Sequence, residues 1–235
     1  MKKRFGNFLL LSLVVLFVSC KKDSTDFYKT YTYEFKTDTE GWKPLFADYP
    51  VGEEEFYELQ FKHTHLPAPL DQSVKAIQVT GNNHSDDLLM MMCKKVDGLK
   101  PNATYGVTFS IDLASNVRKG SPGAGGSPDL SLGAGALSYE PKVEVKQTSG
   151  KDYYRPNFNS VLQGGNSSEH IKVLGQIGVT DTTTVYTFIN RNNANNPFSV
   201  TTNHKGELWL LLGLDSGFEG ITSLYYKRVQ VRLYE

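Results

Sequence analysis

The sequence predicts an all-β fold, built as a single sandwich of two antiparallel sheets. Beyond residue 20, no window of eleven or more residues keeps the 3.6-residue apolar period of an amphipathic helix. Several short windows instead alternate in polarity or are rich in β-branched and aromatic residues, which is typical of strands. Hydrophobic residues make up 39% of the chain and charged residues 21%, so the chain carries enough apolar surface to form a core.

The strand pattern recurs in nine segments, whose uneven spacing favours two packed sheets over a regular barrel. In the last segment, the odd-numbered residues from Tyr225 to Leu233 are expected to face the core, because alternate residues of a strand share a face. The asparagine-rich stretch 190–203 is expected to be a loop, and the glycine-rich stretch 119–136 either a mobile tip or a close-packed turn beside a ligand. The predicted strands are 30–35, 55–61, 75–79, 88–96, 104–113, 143–147, 183–189, 207–212 and 223–233.

The N-terminal segment has the three parts of an export signal: basic residues at positions 2–4, an apolar run over 8–18, and the small Ser19. As a helix this run would be about 17 Å long, well short of the hydrocarbon core of about 30 Å, so a permanent span is not expected. The pair Ser19-Cys20 resembles the end of the lipobox of bacterial lipoproteins, which implies that Cys20 is acylated and becomes the first residue of the mature chain. The alternative is an ordinary secretory signal with an incidental cysteine.

Residues 20–23, Cys-Lys-Lys-Asp, are similar to the start of surface-displayed lipoproteins of Bacteroidetes-type bacteria. We therefore expect a signal peptide over 1–19, a lipidated tether over 20–27 and one domain over 28–235. The resemblance implies a lipid anchor in the bacterial cell envelope, in the outer membrane. It leaves two orientations open, with the domain on the cell surface or in the periplasm.

Charge and cysteine content exclude two classes of function. The chain has 25 basic and 25 acidic residues, and removal of Lys2, Lys3 and Arg4 with the signal leaves 22 against 25, a net charge of minus three. Binding to nucleic acid needs a concentrated basic surface, so no nucleic-acid partner is expected. With Cys20 lipidated, Cys93 is the remaining thiol, which excludes an intramolecular disulfide and a cysteine-based zinc site.

Three features together resemble the jelly-roll sandwich of galactose-binding-like and carbohydrate-binding modules: Gly41-Trp42 after a first strand, the turn 98–105 leading into a strand, and a closing tyrosine-rich strand. Three further blocks, 47–59, 81–88 and 215–220, resemble a group of exported bacterial proteins of unassigned activity. The likeness covers most of residues 33–233. It implies a jelly roll and a glycan as the expected partner.

A polar loop between two apolar strands is the main candidate for ligand binding. Its amides, carboxylates and imidazole suit sugar hydroxyls, each of which donates and accepts a hydrogen bond. The alternative is a solvated turn whose side chains cap their own backbone. Trp42 and Tyr49 are candidates for stacking on a sugar ring at the same rim, whereas Trp209 is assigned to the core. The candidate loop residues are Asn82, Asn83, His84, Asp86 and Asp87.

No cofactor is required by any motif, and a structural calcium ion is the one metal that the resemblance suggests. Many carbohydrate-binding sandwiches hold calcium with an aspartate of the last strand, where this chain has Lys227-Arg228. If calcium binds, we expect Glu53 and Glu55 with Asp215 as its ligands, because hard cations take carboxylate oxygens.

Three functions remain compatible with the sequence, and the preferred one is a non-catalytic module that binds a glycan or similar polar ligand. No catalytic motif is present, so no catalytic residue is assigned. The second function is a cell-envelope glycoside hydrolase or lyase that uses Asp86, Asp87, Glu55 or Asp215 as acid and base. The third is a structural or adhesion subunit that recognises another envelope protein.

Overall fold

The computed structural model describes residues 28–160, 162–180 and 184–235. The predicted signal segment, Cys20 and the tether up to residue 27 lie outside these residues. Within them, no helix is long and apolar enough to cross a membrane. One short 3₁₀ helix lies at Gln163–Gly165. The strands are β1 Tyr28–Tyr33, β2 Lys43–Ala47, β3 Tyr49–Pro50, β4 Gln60–His65, β5 Lys75–Asn83, β6 Leu88–Val96, β7 Thr104–Ser115, β8 Ser131–Leu137, β9 Val143–Thr148, β10 Lys151–Pro156, β11 Ile171–Gln176, β12 Thr187–Asn192, β13 Phe198–Thr201, β14 Leu208–Ser216 and β15 Gly220–Tyr234.

Two antiparallel sheets pack face to face and confirm the predicted all-β jelly-roll sandwich. The seven-stranded sheet has the order β12-β7-β15-β5-β4, with β1 beside β15 and β13 beside β7. The five-stranded sheet has the order β11-β8-β14-β6-β2. The chain passes directly from one of these sheets to the other between β1 and β2, β5 and β6, β6 and β7, β7 and β8, β11 and β12, β13 and β14, and β14 and β15. Side chains from both inner faces form the main core, which includes Phe109, Leu210 and Val231.

The outer face of the five-stranded sheet carries a second, smaller core. Leu45, Leu89 and Leu211 of this sheet pack there with Phe158 and Leu162, which follow β10. A three-stranded sheet of order β3-β10-β9 adjoins this region. The five-stranded sheet is therefore partly covered on both faces, by the seven-stranded sheet on the inner face and by this smaller core on the outer face.

Several predicted strands agree with the structure, and β6 has the predicted limits of 88–96. The prediction of a strand over 55–61 is wrong in its first half, because residues 54–58 form turns before β4 begins at Gln60. Tyr57 N donates to Glu53 O, and Glu58 has a positive φ of 49°, so the chain turns where extension was expected.

The last strand corrects the predicted alternation. Its register against β7 shifts between Tyr226 and Arg228, which inserts one extra residue on β15. Leu224 and Tyr226 therefore face the main core before the bulge, and Val229 and its alternate neighbours face it afterwards. Tyr225 and Lys227 were expected on the core face but are only half-buried.

Both stretches expected to be loops contain strands. The glycine-rich stretch ends in β8, whose Gly133 and Gly135 leave room for neighbouring atoms. A Cβ on Gly135 would lie 1.9 Å from His170 O, so glycine is needed for the close approach of β11. The asparagine-rich stretch contains the end of β12 and all of β13.

Candidate functional site

Three aspartates from distant parts of the chain converge at one end of the five-stranded sheet. Asp48 lies between β2 and β3, Asp87 directly precedes β6, and Asp215 lies on β14 opposite Leu89. One carboxylate oxygen of each lies within 4.8 Å of the others. We call these three residues, together with Arg155 of β10, the acidic cluster.

Arg155 supplies the positive charge of the acidic cluster. Its Nη1 donates to Asp48 Oδ1 at 2.7 Å and to Asp87 Oδ2 at 3.1 Å. Asp87 is held from its other side by Gln163, whose Nε2 lies 3.3 Å from Asp87 Oδ1 and donates to Asp86 O at 2.7 Å. One guanidinium thus balances part of the charge of three carboxyl groups.

Asp215 is the most perturbed carboxyl group of the acidic cluster. It is 6% exposed, and burial, followed by the charges of Asp87 and Asp48, raises the pKa of Asp215 to about 7. Burial also raises the pKa of Asp48 and of Asp87, against the opposing effect of Arg155. Asp215 Oδ1 is buried without a hydrogen-bond partner in the part of the chain that is described. Below neutral pH, Asp215 is therefore protonated and can donate a hydrogen bond.

A cavity of about 480 Å³ opens beside Asp215, and we call it the rim cavity. Its walls come from the glycine-rich stretch 119–136, the 3₁₀ turn Gln163–Gly165 and the β14–β15 link. Carboxyl groups, carboxamides and hydroxyls line it, with few apolar side chains between them. The polar side chains that line it are Asp86, Ser127, Asp129, Ser131, Gln163, Gln176 and Asp215.

The glycine-rich stretch packs against the loop that follows β14. Glu219 N donates to Ala124 O at 2.9 Å. Gly125 has a φ of +70°, and a Cβ there would lie 2.2 Å from Asp86 Oδ1 and 2.7 Å from Gly217 O. Of the two interpretations of this stretch, the structure therefore favours the close-packed turn. The stretch forms a packed wall of the rim cavity.

The predicted polar loop divides into structural and accessible residues. Asn82 and Asn83 belong to β5, where Asn82 donates to Glu58 Oε1 at 2.8 Å and Asn83 to Ser216 O at 2.6 Å. Asn83 is 1% exposed, so it anchors the β14–β15 link and does not face a ligand. Asp86 lines the rim cavity, and Asp87 belongs to the acidic cluster.

His84 lies exposed at the edge of the same loop and makes an aromatic pair with Phe56, which was not among the predicted site residues. Its ring stacks on Phe56 at a centroid distance of 4.0 Å, and its Nε2 lies 3.0 Å from Phe56 O. Phe56 is 57% exposed. The pair offers a flat apolar surface next to the polar loop, and its one sequence signal was the position of Phe56 in block 47–59.

The predicted stacking residues Trp42 and Tyr49 are in the core. Trp42 is 1% exposed and meets Tyr33 edge-on, while Tyr49 is 6% exposed and packs against Tyr57. The assignment of Trp209 to the core is also wrong. Trp209 lies on the outer face of β14 and is only partly buried, because its neighbours Leu208 and Leu210 point into the main core.

The expected calcium ligands do not come together. Glu53 and Glu55 are exposed, and neither belongs to the acidic cluster, in which Asp48 and Asp87 stand beside Asp215. The acidic cluster itself fits calcium poorly, since Arg155 already contacts two of its carboxylates and calcium takes six to eight oxygen ligands. We derive no role for a metal ion from these residues.

Comparison with known proteins gives matches only among solved structures. No family model matches the chain, and no curated protein sequence matches it. A putative sugar binding protein from Bacteroides thetaiotaomicron is 8% identical, with a TM-score of 0.41 over 80% of this chain and 86% of that one. The CBM22-1 xylan-binding domain of Paenibacillus barcinonensis Xyn10C is 15% identical, with a TM-score of 0.39 over 86% and 92%. The K1 cleaved adhesin domain of Lys-gingipain from Porphyromonas gingivalis is 9% identical, with a TM-score of 0.37 over 86% and 97%.

Proposed function

We propose that this chain is a non-catalytic binding module and that the rim cavity takes a neutral, polyhydroxylated ligand such as a glycan end or branch. The observation that carries the proposal is the lining of the rim cavity. Carboxylates accept hydrogen bonds, whereas the carboxamides of Gln163 and Gln176 and the hydroxyl of Ser131 both donate and accept. A cavity of about 480 Å³ lies within the range of small-ligand sites, which is roughly 300–1,000 Å³.

The charge of the rim cavity favours a neutral ligand over an anionic one. Asp86, Asp129 and Asp215 line it, and no lysine or arginine does so among the described residues. An anionic ligand would meet carboxylates without a counter-charge, which is unfavourable in a partly enclosed site. Sugar hydroxyls instead match acceptors and donors without a charge penalty.

We further propose that the module is anchored by acylated Cys20 in the cell envelope, in the outer membrane and facing outward. The support is the export signal at residues 1–19 and the lipobox-like Ser19-Cys20. Acyl chains contribute about 0.8 kcal/mol per buried methylene, so several chains would retain the module at the membrane. Mass spectrometry of the native protein tests this: an acylated N-terminal Cys20 is expected, and an intact Met1 without an acyl group would contradict it.

The ligand proposal is tested by affinity electrophoresis of the purified chain through gels that contain xylan, mannan or dextran. We expect at least one of these neutral polysaccharides to retard the wild type, and Asp86→Asn together with Gln163→Ala to abolish the retardation. Asp152→Asn, which changes an exposed carboxylate outside the rim cavity, is the matched control and should migrate like the wild type. No retardation by any of the three would contradict the proposal.

One observation favours catalysis as a second candidate. Asp215 lines the rim cavity with a pKa of about 7, which suits a general acid near neutral pH, and Asp87 lies beside it. A glycoside hydrolase with this pair would release reducing ends from the retained polysaccharide, and Asp215→Asn would stop the release. If the polysaccharide stays intact during prolonged incubation, the chain is a binding module only.

A further inference from the structure

A groove of about 440 Å³ lies on the outer face of the five-stranded sheet, at the opposite end from the acidic cluster. Trp209 forms part of it, between Lys95 on β6 and Leu137 on β8. Trp209 and Asp215 both point outward from β14 and are six residues apart, which corresponds to about 20 Å along a strand. The groove and the rim cavity are therefore separate places on one face.

The groove has a basic lining, unlike the rim cavity. Lys43, Lys95 and Lys142 line it with one carboxylate, Glu140. Lys95 Nζ lies 5.4 Å from the centre of the Trp209 ring. Lys94 also borders the groove, but its ammonium lies 5.1 Å from the Tyr33 ring and donates to Glu40 O.

The lysines of the groove can exchange their partners for a ligand. Lys142 lies 3.3 Å from Glu140 and Lys95 2.7 Å from Glu207, and both lysine side chains are about half-exposed. Exposed ion pairs of this kind contribute roughly 0–1 kcal/mol, so an anionic ligand can displace them. Lys43 is exposed and makes no ion pair within the described ranges of the chain.

An indole face bordered by ammonium groups suits a pyranose ring that carries an acidic group. A bound ring would stack its C–H face on Trp209 in place of the Lys95 ammonium, which lies over the indole. Lys43 and Lys142 would contact the carboxylate or sulfate. A nucleic acid fits less well, since single strands are held by several aromatic side chains along a positive groove. Among the described residues that line this groove, Trp209 is the one aromatic side chain, so it can stack one ring and not a run of bases.

We propose that this groove is a second binding site and that it takes an anionic polysaccharide. The site is independent of the rim cavity, so the chain can hold a neutral and an acidic glycan segment at two places on the same face. The proposal goes beyond the function proposed above and does not require it.

The test measures dissociation constants of the full chain for polygalacturonate, which carries carboxylates, and chondroitin sulfate, which adds sulfates, with dextran as the neutral reference. We expect binding to at least one acidic polymer, which weakens as salt is added. Dextran should not bind the variant that carries Asp86→Asn and Gln163→Ala, in which the rim cavity is disabled. Trp209→Ala should raise the dissociation constant about tenfold or more. Trp209→Phe, which keeps a flat ring, should retain most of the affinity.

Matched lysine variants distinguish binding at the groove from a general attraction between the chain's positive charge and the acidic polymer. Lys43→Gln with Lys142→Gln should weaken binding to the acidic polymer, whereas Lys62→Gln with Lys119→Gln makes the same change in net charge elsewhere and should not. Asp86→Asn, which changes the rim cavity, should leave binding of the acidic polymer unchanged. A failure of the groove proposal can therefore be told apart from a failure of the rim-cavity proposal. The proposal would be overturned if both lysine pairs lost affinity for the acidic polymer equally, or if Trp209→Ala kept the wild-type affinity. It would also be overturned if a single-stranded oligonucleotide bound more tightly than the acidic polymers.

Discussion

Arg155 Nη1 lies 2.7 Å from Asp48 Oδ1 and so joins β10 to the turn between β2 and β3, 107 residues earlier in the chain. Asp48 adopts a positive φ of 67° at this turn, which aims the chain from the five-stranded sheet into the three-stranded sheet. The side chain of Asp48 is 8% exposed, so its charge depends on this partner. The ion pair thus joins the three-stranded sheet to the end of the five-stranded sheet where β2 finishes.

Replacement of Arg155 should destabilise the fold. Arg155→Met leaves Asp48 and Asp87 without their cation, and we expect the free energy of unfolding at pH 7 to fall by about 2–4 kcal/mol. The loss should be smaller near pH 4, where the carboxyl groups are more protonated. Urea denaturation at the two pH values measures both effects.

Arg228→Met is the matched control for Arg155→Met. Arg228 is similarly exposed, but its partner Asp112 lies 3.6 Å away and is 36% exposed, so the expected loss is below about 1 kcal/mol. Equal losses of unfolding free energy in the two variants would show that the burial of Asp48 does not make its ion pair more important for stability.

Asp215 should make stability depend on pH between about 4 and 7. Its pKa is raised to about 7 in the folded state, against about 3.9 for an unfolded aspartate. The unfolded chain therefore loses this proton first as pH rises, and the stability that Asp215 contributes below pH 4 is lost by about pH 7.

Asp215→Asn removes this titration, since the amide resembles the protonated acid. The unfolding free energy of the variant minus that of the wild type should rise by on the order of 3 kcal/mol from pH 4 to pH 8. Denaturation curves across this range provide the values. A difference that stays constant with pH would mean that Asp215 titrates normally.

Gly125 should be required for the wall of the rim cavity. Alanine at this position would strain the backbone and place a Cβ against Asp86 and Gly217 O, so Gly125→Ala should weaken neutral-glycan binding strongly. Gly120→Ala is the control, because Gly120 has a similar φ of +68° and no atom within 4 Å of an added Cβ. Both variants should lose about 1–2 kcal/mol to backbone strain, while the effect on binding should be confined to Gly125→Ala. Equal binding by both would contradict the packed-wall assignment.

The two tryptophans should differ in their access to solvent. Acrylamide should quench the emission of Trp209 more readily than that of Trp42, since Trp209 is partly buried and Trp42 is 1% exposed. In Trp209→Phe, the remaining emission should be blue-shifted and resist quenching until urea unfolds the chain. Ready quenching of this variant in the folded state would show that Trp42 is not in the core.

The two tryptophans show how far the sequence could predict the position of a side chain. Trp42 was expected at the rim and lies in the core, whereas Trp209 was expected in the core and lies on the outer face. Strand alternation was visible in 207–212, and applied strictly it places Trp209 outward when Leu208 and Leu210 face inward. Trp209 was instead assigned to the core as a large aromatic side chain between two leucines, whereas on this outer face Leu211 is fully buried and Trp209 is not. Trp42 follows a turn rather than a strand, so no periodicity assigned its face.

The acidic cluster was only partly predictable, for a physical reason. Asp87 and Asp215 stood in polar segments between apolar strands, which marks a strand end in any sandwich. Their meeting with Asp48 and Arg155 depends on strand pairing between distant segments, such as Tyr154 of β10 with Tyr49 of β3. A local pattern does not specify such pairing, and Arg155 carried no signal of its own.

The binding of a neutral glycan in the rim cavity is tested most directly by a crystal structure of the chain with an oligosaccharide from the polymer that retards it most. We predict a sugar ring between the wall at Gly125 and the turn at Gln163, with a hydroxyl within hydrogen-bond distance of Asp215. A ring bound elsewhere while the rim cavity holds only water would contradict the account.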